Sequence, residues 1–342
     1  SRGLGDVYKR QDYRWASDSV IVNLAAGSAS GAEGNDTLNN IEAIRGGNFN
    51  DNLIGNSVDN FLRGGLGNNI LDGAAGFDWV DYRDASSSVT VNLTDSTSSN
   101  APTGGTATRV DGNDTLINIE AVLGGNYNDS LKGNSSDNWL RGGLGNDTLD
   151  GGTGFDWADY KDASSGVSVN LTDSTSSNAP TGGTATGADG NDTLINIEAI
   201  RGSDSNDTLS GNASANRLRG GLGSDLLTGG SGSDVFEILS VTESNAVSFD
   251  TITDFNAVDQ FRLGTAPISI TNTSTNATGN LATDLRQAIA AGAQNFLQGC
   301  AALVSINAVS TNSSTSNSDA GKYLVFAGSG HGATAGFNSS TD

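Results

Sequence analysis

Residues 142–159 read GGLGNDTLDGGTGFDWAD, two copies of one nine-residue pattern: Gly, Gly, any, Gly, any, Asp, any, apolar, any. Glycine allows the positive φ of a tight turn and lets other atoms approach the backbone closely. The Asp at position six (Asp147, Asp156) closes the turn with a carboxylate. The apolar residue at position eight (Leu149, Ala158) then falls mid-strand and points inward. A short strand joined to a carboxylate-closed glycine turn, and repeated, predicts a solenoid rung with oxygen donors for a hard cation.

The same pattern extends in both directions. Asn-Ile-Glu-Ala recurs at even spacing, beginning at Asn40, Asn118 and Asn196. Each unit holds four unbroken nonapeptides, starting at Gly46, Gly55, Gly64 and Gly73, then Gly124, Gly133, Gly142 and Gly151, then Gly202, Gly211, Gly220 and Gly229. A fifth copy carries GNDTL at Gly34, Gly112 and Gly190. Position eight is apolar in all fifteen copies, from Leu38 to Phe236, and position six is Asp except at Asn60, Asn69, Asn138 and Asn216. One register held so long predicts an all-β fold, a parallel β-roll or β-solenoid of nonapeptide repeats over residues 12–237, in three units of 78-residue period. If strands alternate between two facing sheets, residues two nonapeptides apart are neighbours in a parallel ladder. Position nine supports this by charge: Lys132 with Asp150, Arg63 with Asp81, Arg141 with Asp159 and Arg219 with Glu237 are each separated by two nonapeptides.

Composition narrows the function. A net charge of −22 argues against a nucleic-acid groove and against an anionic membrane surface. No apolar run is long enough for a membrane span. With 47 Gly and few large side chains, a thin, quasi-one-dimensional core is expected. Cys300 stands alone, so no intramolecular disulfide forms. His331 is the single His, and neither HExxH nor GxSxG occurs, so no enzyme is expected within these residues. There is no Met and no signal peptide, which reads as part of a larger chain; an upstream catalytic domain stays open.

Outside the nonapeptides three segments differ. Residues 1–11 carry no repeat and read as a non-native scar. Residues 77–110, with a near copy from Phe155, hold a strand at 89–93 and a Ser/Thr/Gly/Pro loop, an insertion on one face of the roll. Residues 238–342 read as a mixed C-terminal cap over the open end, with strands at 249–255, 259–263 and 323–326 and a helix over 281–297 behind Asn280 as N-cap.

Ca²⁺ takes six to eight oxygens, and one Gly/Asp turn supplies about half of them. A second turn, two nonapeptides further on, would supply the rest, pairing Asp129 with Asp147 and Asp207 with Asp225. Weaker mixed pairs are Asp51 with Asn69, Asn60 with Asp78, Asn138 with Asp156, and Asn216 with Asp234. The candidate metal residues are Asp36, Asp51, Asn69, Asp78, Asp114, Asp129, Asp147, Asp156, Asp192, Asp207, Asp225 and Asp234. The turn glycines Gly64, Gly67, Gly142, Gly145, Gly151, Gly154, Gly220, Gly223, Gly229 and Gly232 complete the set. Several Ca²⁺ ions are expected. Zn²⁺ lacks a Cys/His ligand set, and Mg²⁺ is a poor match to a backbone-rich shell. The metal-free alternative is that Asp and Asn cap their turns by hydrogen bonds alone. Stacked carboxylates repel, so the calcium reading predicts an expanded apo chain whose folding is coupled to ion binding.

GGLGNDTLDGGTGFDWAD resembles the RTX family of calcium-binding repeats, as do GGLGSDLLTGGSGSDVF at 220–236 and the GNDTLINIEA segments. Residues after Asp234 (DVFEI, DTITDFN, AGFNSSTD) resemble the C-terminal module of serralysin-type secreted proteins. The resemblance implies a parallel β-roll, folding triggered by Ca²⁺ outside the cell, type I export and an extracellular or cell-surface location. Two departures stand against it. The first two turns of each block lack Gly at position four (Phe49, Val58, Tyr127, Ser136, Ser205, Ser214), and the chain stops at Asp342 before the final strand and export signal. The expected function is a secreted calcium-binding structural module of a surface, adhesive or exported protein. Its alternative is the export and folding module of a secreted hydrolase or metalloprotease. A third reading is a glycan-binding face. Phe61 and Trp79, like Trp139 and Trp157, are two nonapeptides apart at the outward position seven, where a stacked pair could hold a sugar ring unless the inserted loop at 95–110 covers it. Outward Thr115, Thr148 and Thr193 do not keep that spacing, which ranks ice binding low.

Overall fold

The computed structural model describes residues 9–94, 104–171, 182–240, 243–244, 248, 250–256, 258–263, 303–305 and 323–325, and these hold strands and turns but no helix. The chain divides into two compact units, residues 1–159 with 189–197, and residues 160–188 with 198–342.

In the first unit the alternation of nonapeptides builds two sheets. Sheet A runs Arg10–Asp12, Ala43–Arg45, Phe61–Arg63, Trp79–Asp81, Ala121–Leu123, Trp139–Arg141 and Trp157–Asp159, all parallel. Sheet B takes the other nonapeptides: Asn52–Asn56 beside Ile70–Ala74, and Ser130–Lys132 beside Thr148–Asp150. Registers are those of a turn made of two nonapeptides, with Leu62 opposite Val80, Leu53 opposite Leu71 and Leu131 opposite Leu149. The position-eight side chains of both sheets make the core: Leu53, Leu62, Leu71, Val80, Leu131, Leu140, Leu149 and Ala158 are fully buried. The parallel roll predicted from periodicity is the observed fold.

The insertions enter sheet B. Thr90–Asn92 pairs antiparallel with Gly105–Arg109, which pairs antiparallel with Gly112–Ile117. The outer two resume the parallel ladder, Gly112–Ile117 against Ile70–Ala74 and Thr90–Asn92 against Ser130–Lys132. Leu71 therefore meets Leu116, and Thr148 meets Thr193, a neighbour relation hidden from the two-nonapeptide rule. A similar hairpin, Ile21–Asn23, Ser28–Gly31 and Gly34–Thr37, precedes the first block. Asn118 turns the chain from sheet B back to sheet A at φ 51, its Nδ2 donating to Asp72 Oδ1 at 2.9 Å. Asn tolerates left-handed backbone better than most residues, which explains the recurring Asn-Ile-Glu-Ala.

Arg10–Asp12 opens sheet A against Ala43–Arg45, and the Lys9 carbonyl accepts from Glu42 and Ala43 N–H. Residues 9–11, set aside as a scar for want of a repeat, thus belong to the first rung: backbone pairing asks for no motif. Residues 1–8 lie outside the described residues.

In the second unit Ala199–Arg201, Arg217–Arg219, Val235–Ile238 and Gln260–Leu263 form a parallel sheet. Ser168–Asn170, Thr208–Ser210, Leu226–Thr228, Thr251–Ile252 and Leu303–Ser305 form another; Gly183–Gly187 and Tyr323–Val325 join its ends antiparallel. The roll thus continues past residue 237 with a longer step, Phe236 opposite Phe261. The expected helix at 281–297, the AGFNSSTD tail, Cys300 and His331 lie outside the described residues.

The charge ladder follows the register in three places. Lys132 pairs with Asp150 at 3.0 Å, and Arg63 with Asp81 and Arg141 with Asp159 in close contact. The fourth is different. Arg219 pairs with Glu243, and Glu237 takes Arg217 at 3.3 Å and Arg262 at 2.9 Å, because residues beyond the last repeat bring new charges to this edge.

Candidate metal centre

Position six is where turn meets strand, and its side chain folds back under the turn of its own nonapeptide. One oxygen of nearly every such side chain is committed to the ladder. The backbone N–H of position six in one turn donates to the position-six side chain of the next: Asp129 N to Asp147 Oδ1 at 2.7 Å, Asn60 N to Asp78 Oδ1 at 2.6 Å, Asp207 N to Asp225 Oδ1 at 2.8 Å, Asn138 N to Asp156 Oδ1 at 2.7 Å, and Asn216 N to Asp234 Oδ1 at 2.8 Å. The second oxygen decides what each turn can do.

In the first two turns of each block it is used up. Gly47 N donates to Asp51 Oδ2 at 2.7 Å, Gly125 N to Asp129 Oδ2 at 2.6 Å and Ser203 N to Asp207 Oδ2 at 2.7 Å. The other oxygens accept from Val20, Val89 and Val167 N–H. Asn60, Asn138 and Asn216 are saturated likewise, each Oδ1 accepting from the N–H four positions earlier and each Nδ2 donating to a Glu carbonyl. These turns lack the position-four glycine, and they close on themselves as Asx-type caps.

Four later turns, 73–78, 142–147, 220–225 and 229–234, are open. Asp78, Asp147, Asp225 and Asp234 are 2 % exposed or less, and the Oδ2 of each is buried with no hydrogen-bond partner. An unmatched buried carboxylate oxygen costs heavily unless a cation faces it. The turn leaves no room for a side chain. A Cβ on Gly142 would overlap Asp147 Oδ2, and one on Gly220 would overlap Asp225 Oδ2. Gly143 and Gly145, at φ 102 and 123, supply the left-handed backbone that bends the turn around this oxygen. Burial pushes Asp147 up to about 7, with repulsion from Asp192 and Asp129 adding; Asp78 rises to about 7 and Asp234 to about 6, again chiefly by burial. Asp225 and Asp250 are both raised by burial first, with the charge of Asp207 adding at Asp225 and that of Asp225 adding at Asp250.

Turn 64–69 shows what else converges there. Asn69 Nδ2 lies 3.4 Å from the Leu66 and Gly67 carbonyls and 2.9 Å from Asp114 Oδ1. Two turn carbonyls and the carboxylate of the next turn thus address one point, occupied here by an amide donor. In turn 142–147 the corresponding residues are Leu144, Gly145 and Asp192, around Asp147, a carboxyl in place of the amide. Among the described residues no three His, Cys, Asp or Glu side chains gather as a metal cluster. A shell here would draw on carbonyls plus one or two carboxylates, the donor chemistry of Ca²⁺.

The open turns have acidic neighbours that a count of two nonapeptides misses. The insertions and the longer C-terminal step bring in Asp192 (Asp147 N to its Oδ1 at 2.9 Å), Glu120 (Asp78 N to its Oε2 at 2.8 Å), Asp250 (Asp225 N to its Oδ1 at 3.2 Å) and Asp259 (Asp234 N to its Oδ1 at 3.0 Å). Glu120 belongs to the Asn-Ile-Glu-Ala repeat and stands at position six in register with Asp78, since Ala121 pairs with Trp79. That recurrence was the available signal. Asp36, at the exposed edge, accepts from the Tyr13 hydroxyl at 2.9 Å.

The aromatic column is present on sheet A. Phe61 stacks on Trp79 at 6.4 Å and 21°, and Trp139 on Trp157 at 4.9 Å and 16°. Arg83 lies 6.0 Å from the Phe61 ring centre and Arg141 5.8 Å from that of Trp79. Ring faces are therefore turned to one another and to guanidinium groups. The expected cover at 95–110 falls outside the described residues as far as 103, and Gly105–Arg109 lies in sheet B.

Compared with known families, residues 45–80, 123–158 and 201–236 match the RTX calcium-binding nonapeptide repeat (4 copies). Each match covers one block of four turns. No curated protein matches the chain.

Proposed function

We propose, for a chain that carries RTX calcium-binding nonapeptide repeats, a secreted structural module that couples Ca²⁺ binding to folding outside the cell, as part of a surface, adhesive or exported protein. The observation that carries this reading is the set of buried, unpartnered Oδ2 atoms on Asp78, Asp147, Asp225 and Asp234. When bound, Ca²⁺ supplies positive charge to oxygens that the fold has taken out of water. The protein's own part is to hold those oxygens in place. Position-six N–H groups fix one carboxylate oxygen, left-handed glycines bend the turn, and the next rung brings Asp192, Glu120, Asp250 or Asp259. Asp51, Asp129 and Asp207 act as caps that set the spacing of the turns. No catalytic role is assigned to these residues.

Titration calorimetry with Ca²⁺ and with Mg²⁺, run beside circular dichroism in excess chelator, tests the proposal. Several Ca²⁺ ions should bind with a gain of β-structure, and Mg²⁺ should not replace them. Full β-structure in chelator, or no Ca²⁺ binding, overturns it. Service as the export and folding appendage of a secreted hydrolase or metalloprotease is compatible with the same chemistry, and the full-length reading frame distinguishes the two. A glycan-binding face has less support, because the stacked rings offer edges where a sugar needs a free face.

A further inference from the structure

Turn 64–69 has the left-handed backbone of an open turn, with Gly65 at φ 86 and Gly67 at φ 89, and yet it has no unmatched carboxylate oxygen. Three side chains account for this. Asn69 stands where turn 142–147 has Asp147, and its Nδ2 donates to the Leu66 and Gly67 carbonyls. Arg109 reaches in from the antiparallel strand Gly105–Arg109 that the insertion places beside Gly112–Ile117. Its Nη1 donates to Asp114 Oδ2 at 2.5 Å and its Nη2 to the Gly65 carbonyl. Tyr82 closes the site, its hydroxyl donating to Asp114 Oδ2 at 3.1 Å and its ring centre 5.1 Å from the guanidinium. The Arg109 side chain is 2 % exposed and that of Asp114 0 %.

A cation bridging a turn carbonyl to the buried carboxylate of the next rung is what a bound metal ion would be at this place. The charges agree. Turn 142–147 offers Asp147 and Asp192, two carboxylates that match one divalent ion. Turn 64–69 offers one carboxylate, Asp114, already matched by one guanidinium. The difference is written in the sequence as a double exchange: one repeat unit beyond Asn69 and Arg109 stand Asp147 and Gly187.

We infer that Arg109 is a built-in counter-ion, taking the place of a divalent cation at turn 64–69 and leaving that rung ordered without calcium. This rests on the reading of turn 142–147 as calcium-dependent. The chain then has two kinds of rung, one closed by its own guanidinium and one awaiting an ion, and the first can hold structure from which the second folds.

Amide hydrogen exchange on the full chain tests it. In chelator, Gly67, Asn69 and Thr115 N–H, bonded to Asp111, Asp114 and Asn69, should stay protected. Their counterparts Gly145, Asp147 and Thr193 should exchange and become protected on adding Ca²⁺. Arg109→Gly should speed exchange of the first set in chelator by about a hundredfold or more, since it leaves a buried carboxylate unmatched. Asn69→Asp with Arg109→Gly should bind one Ca²⁺ more per chain than wild type and regain protection only with the ion. Unfolded-chain exchange of the first set in wild type in chelator overturns the inference. So does an Arg109→Gly profile equal to wild type, or a double variant that gains no ion while Ca²⁺ binds elsewhere. If no Ca²⁺ binds to wild type at all, the calcium reading of the open turns fails, and the chelator arm alone still decides the role of Arg109.

Discussion

Asp129 and Asp147 occupy the same place in the nonapeptide, yet their second oxygens meet different fates. Gly125 N–H fills that of Asp129, and nothing fills that of Asp147. Asp147→Asn should therefore lower the Ca²⁺ stoichiometry measured by calorimetry. Asp129→Asn should leave the stoichiometry unchanged and lower stability by about 1–3 kcal/mol, because a backbone N–H loses its acceptor. Equal ion loss in both variants would remove the distinction between open and closed turns. Backbone strain gives a second contrast. Ala74 sits at position two of turn 73–78 with φ 73, where the other open turns have Gly. Ala74→Gly should raise stability by about 1 kcal/mol, since a left-handed backbone is unfavourable for any residue with a Cβ. Gly145→Ala places a Cβ on a backbone at φ 123 and against the Tyr127 carbonyl. It should cost about 1–3 kcal/mol or more in urea unfolding at saturating Ca²⁺.

At the scale of elements, the nonapeptide is half a turn and the pair is the unit of structure. Removing residues 124–141 deletes one full turn; it leaves every strand on its own sheet and lets Asp147 take the place of Asp129. Removing residues 133–141 alone moves all later strands to the opposite sheet and carries the next insertion with them. The first variant should fold with Ca²⁺ and the second should not, judged by dispersion of amide resonances. Two variants that fold equally well would show that the sheets are interchangeable. Within the roll, Leu140 is fully buried between rungs, and Leu140→Ala should cost about 2–5 kcal/mol through lost burial and the cavity left behind.

For the whole molecule, 39 acidic against 17 basic residues oppose a compact state unless carboxylates are neutralised. Protons can do this in place of calcium. Asp78 and Asp147 are raised to about 7 and Asp234 to about 6 from an ordinary 3.8. Because these folded values lie above the unfolded one, the calcium-free fold binds more protons than the unfolded chain between them. The stabilisation is complete below about pH 4 and is lost as pH rises through about 6–7. In chelator, thermal melting should thus occur at higher temperature at about pH 5 than at about pH 8. A melting temperature that rises with pH in chelator would contradict the burial of these groups. Saturating Ca²⁺ should reverse the trend, because the ion requires deprotonated oxygens.

Much of this was legible from residues alone, for a physical reason. A nonapeptide strand has one inward side chain and a turn with fixed glycine requirements, so fold class, two-sheet alternation and the two-nonapeptide register follow from periodicity; Leu62 opposite Val80 and Trp139 against Trp157 are local consequences of it. What a turn presents to a cation is not local. Asp129 and Asp147 differ through Gly125 and Val89 N–H on one and Asp192 on the other, and Asp192 arrives across an insertion whose length the repeat does not encode. Arg109 reads in sequence as an ordinary residue at the end of a Thr-rich loop. Only the antiparallel strand that carries it into the neighbouring turn makes it a buried counter-ion, since desolvation and charge pairing depend on which atoms meet in space.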